Sequence, residues 1–255
     1  MIALRTVALG IGQRRLLHGI DARVEAGELL AVLGANGVGK TTLLRTICGL
    51  HPMLGGGIEL DGTSLHSLDA SARARPIALV TSDEAMLTSL RVREVVAIGR
   101  YPHHAWWQWN ATPRDDEAIA TALHDVHLEA EADRLFATLS SGERQRAWIA
   151  MGLAQETPIL LLDEPTSHLD VRIAHEILAL LRDLARAGRT VLCVLHDLND
   201  AAAYADRLML LGEGTMLACD VPEHVLQPGL IERAYGIAVE RIDTAHGPRV
   251  FAVTP

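Results

Sequence analysis

Cysteine, aromatic side chains and long apolar runs are all scarce in this 255-residue chain. Its three cysteines, Cys48, Cys193 and Cys219, stand far apart with no C-x-x-C pair. That spacing excludes a disulfide framework or a thiolate zinc site and leaves three small hydrophobes. Twelve histidines are present, but no H-E-x-x-H pair, so a histidine metal centre is not expected. Phe, Trp and Tyr together make up 4% of the chain, so aliphatic side chains must fill the core. Apolar runs such as Ile159 to Leu162 fall far short of the ~20 residues that span a bilayer. The chain also lacks an excess of positive charge. Its net charge of -9 argues against broad binding to nucleic acid or anionic lipid. The opening MIALRTVALG has no apolar h-region, so no signal peptide is predicted. The expectation is a soluble, cytoplasmic protein that meets a membrane only through a partner.

What is present is an alternation of short β-rich runs with helical patterns. It predicts an α/β fold with a mainly parallel sheet. Ile2 to Ala8 and Leu16 to Val24 read as an antiparallel β edge. Ile159 to Leu162 (ILLL) is wholly apolar, as strands covered on both faces are, and Leu29 to Leu33 (LLAVL) and Thr190 to Leu195 also read as buried strands. Ile58 to Leu60, Ile77 to Val80 and Leu208 to Leu211 are further strands. A helix is predicted from Lys40 to Ile47, ended by Gly49. From Asp83 to Leu153 the pattern is mainly helical, with a strong helix start at Thr112-Pro113. We therefore divide the single domain into an α/β core, 1–82 and 154–255, and an inserted helical subdomain, 83–153. Asp170 caps a helix with Ile173, Ile177, Leu180, Leu181 and Leu184 on one face. The tail from Pro222 reads as mixed.

Three motifs carry chemistry. Gly34-Ala35-Asn36-Gly37-Val38-Gly39-Lys40-Thr41 fits G-x-x-x-x-G-K-[ST], directly after the LLAVL strand and before a helix. Its glycines let backbone N–H groups curl around a phosphate, and the helix presents its positive end to the same anion. Lys40 can reach the β- and γ-phosphates, and Thr41 can ligate Mg²⁺. ILLL then ends in Asp163-Glu164-Pro165, two acids at the sheet edge where α/β proteins bind ligands. Asp163 is placed to hold Mg²⁺ and Glu164 to polarise the attacking water. Leu139-Ser140-Ser141-Gly142-Glu143 reads as a Ser-capped helix start with a glycine for close approach, another anion site.

In this order and spacing the motifs resemble the ABC transporter ATPases over essentially the whole chain. The resemblance implies a P-loop NTPase fold. It makes Gly34 to Thr42 the Walker A loop, which binds ATP, and Asp163 with Glu164 the Walker B end. Ser140, Ser141 and Gly142 match the signature loop. Ser167-His168-Leu169-Asp170 matches the D-loop, and His196 the switch histidine near the γ-phosphate. The stretches VREVVAIGRYPHH, LAQETPILLLDEPTSHLD and LHDLNDAAAYADRLMLL, with the tail VPEHVLQPGLIERAYGIAVERI, are similar to importers of iron-siderophore, haem or cobalamin. That similarity implies ATP and Mg²⁺ as cofactors and a homodimer of ATPase subunits enclosing two ATP molecules. It also implies two integral-membrane permease subunits, a substrate-binding protein acting indirectly, no nucleic acid, and a place on the inner face of the cell membrane.

The chain departs from that family at several positions. Ser82 stands where the family has a glutamine that reaches Mg²⁺, with Asp83 the next oxygen donor. Ile11 stands at the aromatic position that stacks on adenine, which leaves only apolar contact. Ser141 replaces the first signature glycine, and Glu143 a glutamine. Trp106, Trp107 and Trp109 have two open readings, a patch that grips a membrane subunit or the core of the helical subdomain. Two other functions are compatible with the same motifs. One is a soluble ABC ATPase of nucleic-acid repair or translation, disfavoured by the acidic charge and the absence of long heptad arms. The other is a low-turnover regulatory subunit, disfavoured by Glu164 and His196.

Overall fold

A computed structural model describes residues 1–12, 14–81, 89–104, 111–245 and 247–253, apart from the His66 side chain. Ser82, Asp83, Trp106, Trp107 and Trp109 lie outside the described residues. In chain order the strands are β1 (Ile2–Ile11), β2 (Arg14–Val24), β3 (Leu29–Leu33), β4 (Gly55–Leu60), β5 (Thr63–Ser64), β6 (Ile77–Val80), β7 (Ile159–Leu162), β8 (Thr190–Val194), β9 (Arg207–Gly212), β10 (Thr215–Asp220), β11 (Val239–Thr244) and β12 (Gly247–Ala252). The helices are α1 (Lys40–Ile47), α2 (Ala70–Ala74), α3 (Val92–Ile98), α4 (Pro113–Asp125), α5 (Ser141–Ala154), α6 (Val171–Arg186), α7 (Leu198–Tyr204), α8 (Pro222–Val225) and α9 (Pro228–Tyr235).

A six-stranded sheet of order β10-β9-β3-β8-β7-β6 forms the centre. Five of its strands are parallel, and β10 closes one side antiparallel to β9. β3, β7 and β8 are buried at every position, which explains why their sequences are apolar apart from Thr190 at the start of β8. Alternate side chains of one strand serve two cores. Leu29, Ala31 and Leu33 face the layer of α3, α4, α5 and α6. Leu30 and Val32 face α1 and the four-stranded sheet β2-β1-β4-β5. β1 and β2 thus pair antiparallel, in a sheet they share with β4 and β5, separate from the central one. A small ribbon, β11-β12, completes the chain.

Helix ends follow local chemistry. Thr112 caps α4 in a reciprocal box with Asp115, and Pro113 occupies the first turn. Ser140 caps α5 in the same way. Its hydroxyl accepts from the Glu143 N–H at 3.2 Å, and Glu143 Oε2 accepts from the Ser140 N–H at 2.7 Å. Glu143, a departure from the family pattern, therefore closes the cap. Asp170 Oδ1 accepts from the Ile173 N–H at 3.0 Å and starts α6. Gly142 is required for closeness: a Cβ there would lie 2.7 Å from Ile173 Cγ2.

Candidate active site

Three neighbouring parallel strands, β3, β8 and β7, deliver their following loops to one edge of the sheet. β3 feeds the glycine-rich loop and α1, β7 ends in Asp163 and Glu164, and β8 runs through Leu195 to His196. Residues far apart in sequence converge there because strand direction puts all three C-terminal ends together.

The loop takes backbone conformations that only glycine adopts freely. Gly34, Gly37 and Gly39 have φ of 146°, 78° and 116°. Gly34 also has no room for a side chain, since a Cβ would sit 2.5 Å from the Leu211 carbonyl oxygen. Within the loop the Val38 N–H donates to the Ala35 carbonyl at 3.2 Å. Lys40 is nearly buried and turns back over the loop. Its Nζ donates to the Gly34 carbonyl at 2.7 Å and the Ala35 carbonyl at 3.2 Å. Burial pushes its pKa down, against the opposing pull of Glu164 and Asp163.

Thr41 Oγ1 donates to Asp163 Oδ1 at 3.0 Å. Burial pushes the Asp163 carboxyl up. The Thr41 hydrogen bond opposes that shift, and the charge of Glu164 adds to it. A hydroxyl and a half-buried carboxylate side by side are the oxygen donors that a hard divalent cation takes. Glu164 Oε1 lies 2.8 Å from His196 Nε2, and Glu164 Oε2 accepts from Ser167 Oγ at 3.2 Å. Glu164 and His168 have positive φ, 54° and 63°, so this loop is held away from ordinary backbone geometry.

A cleft of about 580 Å³ opens over these groups. Asn36, Gly37, Gly39, Lys40, Thr41, Thr42, Glu164 and His196 line its floor, and Ile11, Arg14 and Leu16 from the β1–β2 end line it too. A second cavity of about 400 Å³ is lined by Thr41, Arg45, Thr81, Asp163, Glu164, Ser167 and His168. It shares Thr41 and Glu164 with the first.

A profile of the ABC transporter family matches residues 17–167. The chain belongs to the ABC transporter family. This ABC protein is 38% identical to the petrobactin import ATP-binding protein of Bacillus anthracis, over 97% of its own length and 91% of that protein. It is 40% identical to the ferric enterobactin transport ATP-binding protein of Escherichia coli K12, over 93% and 88% of the two chains. It is 43% identical to a hemin import ATP-binding protein of Nocardia farcinica, over 90% and 79%. Among solved structures, an inward-facing metal-chelate type ABC transporter overlays at a TM-score of 0.83 with 25% identity, covering 99% of this chain and 96% of that one. A dimeric ATP-binding cassette with ADP and phosphate overlays at 0.73 with 26% identity, covering 87% and 99%. The ABC chain is an ATPase, and its hydrolysis is coupled to transport.

The structure brings Gly34 to Thr42, Asp163, Glu164 and His196 together. It places Ser140, Ser141, Gly142 and Asp170 off both cavities, at the starts of α5 and α6. Sequence reasoning missed three groups. Arg14 and Leu16 gave no signal beyond their closeness to Ile11. Ser167 was read only as part of the D-loop, although its spacing of three from Glu164 is a turn spacing. Tyr235, whose hydroxyl accepts from the Gly34 N–H at 2.9 Å, is 201 positions away and had no local signal.

Proposed function

We propose that two copies of this ABC ATPase power a bacterial importer for an iron chelate, a siderophore or haem, through two integral-membrane permease subunits. The observation that carries the chemistry is the meeting of Lys40, Thr41, Asp163, Glu164 and His196 at one sheet edge. The cargo class is supported by relatives named for petrobactin, ferric enterobactin and hemin, matched along nearly the whole chain. Those relatives also favour import over nucleic-acid work.

The reaction is ATP + H₂O to ADP + phosphate. The N–H groups from Asn36 to Thr42 and the positive end of α1 cradle the β-phosphate. Lys40 exchanges two loop carbonyls for phosphate oxygens. Thr41 and Asp163 would hold Mg²⁺, which would supply charge to offset that of the phosphates. Glu164 orients the attacking water, with Ser167 and His196 fixing its two oxygens. His196 then faces the γ-phosphate. Ser140, Ser141, Gly142 and Asp170 lie off their own chain's clefts, which suits service to the partner's nucleotide in a dimer. Residues 83–153 act as the helical subdomain that carries them.

Phosphate release from the wild type and Glu164→Gln tests the chemistry. Equal rates would remove Glu164 from the mechanism. A tagged chain should isolate an integral-membrane partner together with a second copy of itself. Isolation of nucleic acid or ribosomal protein instead would end the import reading.

A further inference from the structure

The C-terminal segment reaches the nucleotide site at two points outside the motifs. α9 sits on the end of β9 with Ile231 and Ala234 buried. The approach is so close that a Cβ on Gly212 would come within 3.0 Å of Ala234 Cα. Gly236, at φ 71°, stops the helix one residue after Tyr235. This seating carries the Tyr235 hydroxyl under the first residue of the phosphate loop, where it accepts from the Gly34 N–H at 2.9 Å. Gly34 is thereby held between that hydroxyl and the Leu211 carbonyl that leaves no room for a Cβ. Burial pushes the phenol up to about 12, so it stays neutral and protonated.

The second point is the switch helix. Asn199 Nδ2 donates to the Val250 carbonyl at 3.1 Å, and the Val250 N–H donates to Asn199 Oδ1 at 2.9 Å. Arg249 Nη1 adds a bond to the Asn199 carbonyl at 3.2 Å. The ribbon is thus tied to the first turn of α7, three positions after His196. Asp197 between them caps the same turn through the Asn199 and Asp200 N–H groups.

We propose that α9 and the β11-β12 ribbon form a two-point clamp on the nucleotide site, with Tyr235 positioning the phosphate loop and the Asn199–Val250 pair positioning His196. The inference rests on the ATP reading given above. The two points act on different quantities. Without its acceptor the Gly34 N–H must find water, and the loop then spends part of its time displaced. Apparent affinity falls by the fraction of competent loop. Freeing α7 leaves the phosphate cradle alone but lets His196 wander from Glu164.

The test measures MgATP Kd and steady-state phosphate release on the full chain. Tyr235→Phe keeps the ring and removes one hydroxyl. It should raise Kd and KM about tenfold with kcat within about twofold. Asn199→Ala should lower kcat about five- to tenfold with Kd unchanged. Variants that bind and turn over like the wild type, even with a lower Tm, reduce both contacts to packing and overturn the clamp. In the wild type itself, the Gly34 amide should exchange with deuterium at least about a hundredfold more slowly than a free amide. Fast exchange there overturns the clamp without reference to any variant. A wild type that fails to bind MgATP sinks the ATP reading and the clamp together. A wild type that binds, with Tyr235→Phe indistinguishable from it, sinks the clamp alone.

Discussion

Lys40 at the sheet edge and Arg100 in the helical layer are both almost fully buried cations, yet they are partnered in opposite ways. Lys40 donates to two carbonyls of its own loop, and its charged neighbours, Asp163 and Glu164, are bonded to other groups. Arg100 is enclosed by Asp115 Oδ1 at 2.9 Å, the Ala154 carbonyl at 2.6 Å and Glu156 Oε2 at 2.8 Å. Asp115 in turn accepts from the Thr112 N–H and hydroxyl at 2.8 and 2.7 Å and lies 2.9 Å from His104 Nε2. The difference separates a site from a brace. Groups at the sheet edge hold partners that a ligand can replace, whereas Arg100 and Asp115 spend their bonds on one another and on neighbouring groups of the fold. Removing Asp115 leaves the buried Arg100 charge with only the more exposed Glu156 to offset it.

The contrast can be broken at either end. Glu164→Gln should cut phosphate release by about a hundred- to a thousandfold while Tm moves by little. A large loss of Tm would show that Glu164 braces the fold. Asp115→Asn should do the reverse, costing about 3 kcal/mol in urea unfolding and leaving the nucleotide Kd of the folded protein unchanged. Burial alone would raise the Asp115 carboxyl, but bonds from Arg100, Thr112 and His104 hold it well below the usual carboxylate range. Its stabilising effect is therefore complete above the ordinary aspartate range and is lost as pH falls through the lowered value. The wild-type advantage over Asp115→Asn should be the same at pH 8 and pH 5 and shrink only in strong acid. An advantage already gone at pH 5 contradicts the direction of the shift.

Smaller changes sharpen the picture. Ile11 is 60% exposed at the mouth of the larger cleft. Ile11→Tyr should tighten ATP binding about fivefold by adding ring stacking, with no gain for tripolyphosphate. Equal gains for both ligands would place the new ring away from the base. Ser167→Ala removes one long bond to Glu164 and should lower kcat about two- to threefold, read by the same phosphate assay.

Which of these features could be read beforehand depended on sequence distance. The phosphate loop, its strand and its helix are contiguous, so LLAVL, the glycines and Lys40-Thr41 report one another. The caps at Thr112, Ser140 and Asp170 were legible because their partners lie three residues on. β10 and the ribbon β11-β12 went unread because their runs are partly exposed, without the buried apolar pattern of β7. The pairing of β1 with β4, which joins residues as far apart as Ile2 and Leu60, had no local trace either. Tyr235 is the clearest case: its role is set by where α9 docks, which only the folded chain decides.

Glu164 and His168 remain in the left-handed region although neither is glycine. Each such residue costs on the order of 1–3 kcal/mol, met by the surrounding fold. Glu164→Gly would relieve that tension and yield a chain that is harder to denature and catalytically dead. Durability and turnover therefore compete at a single peptide unit, because the backbone that stores the strain is the one that carries the acid.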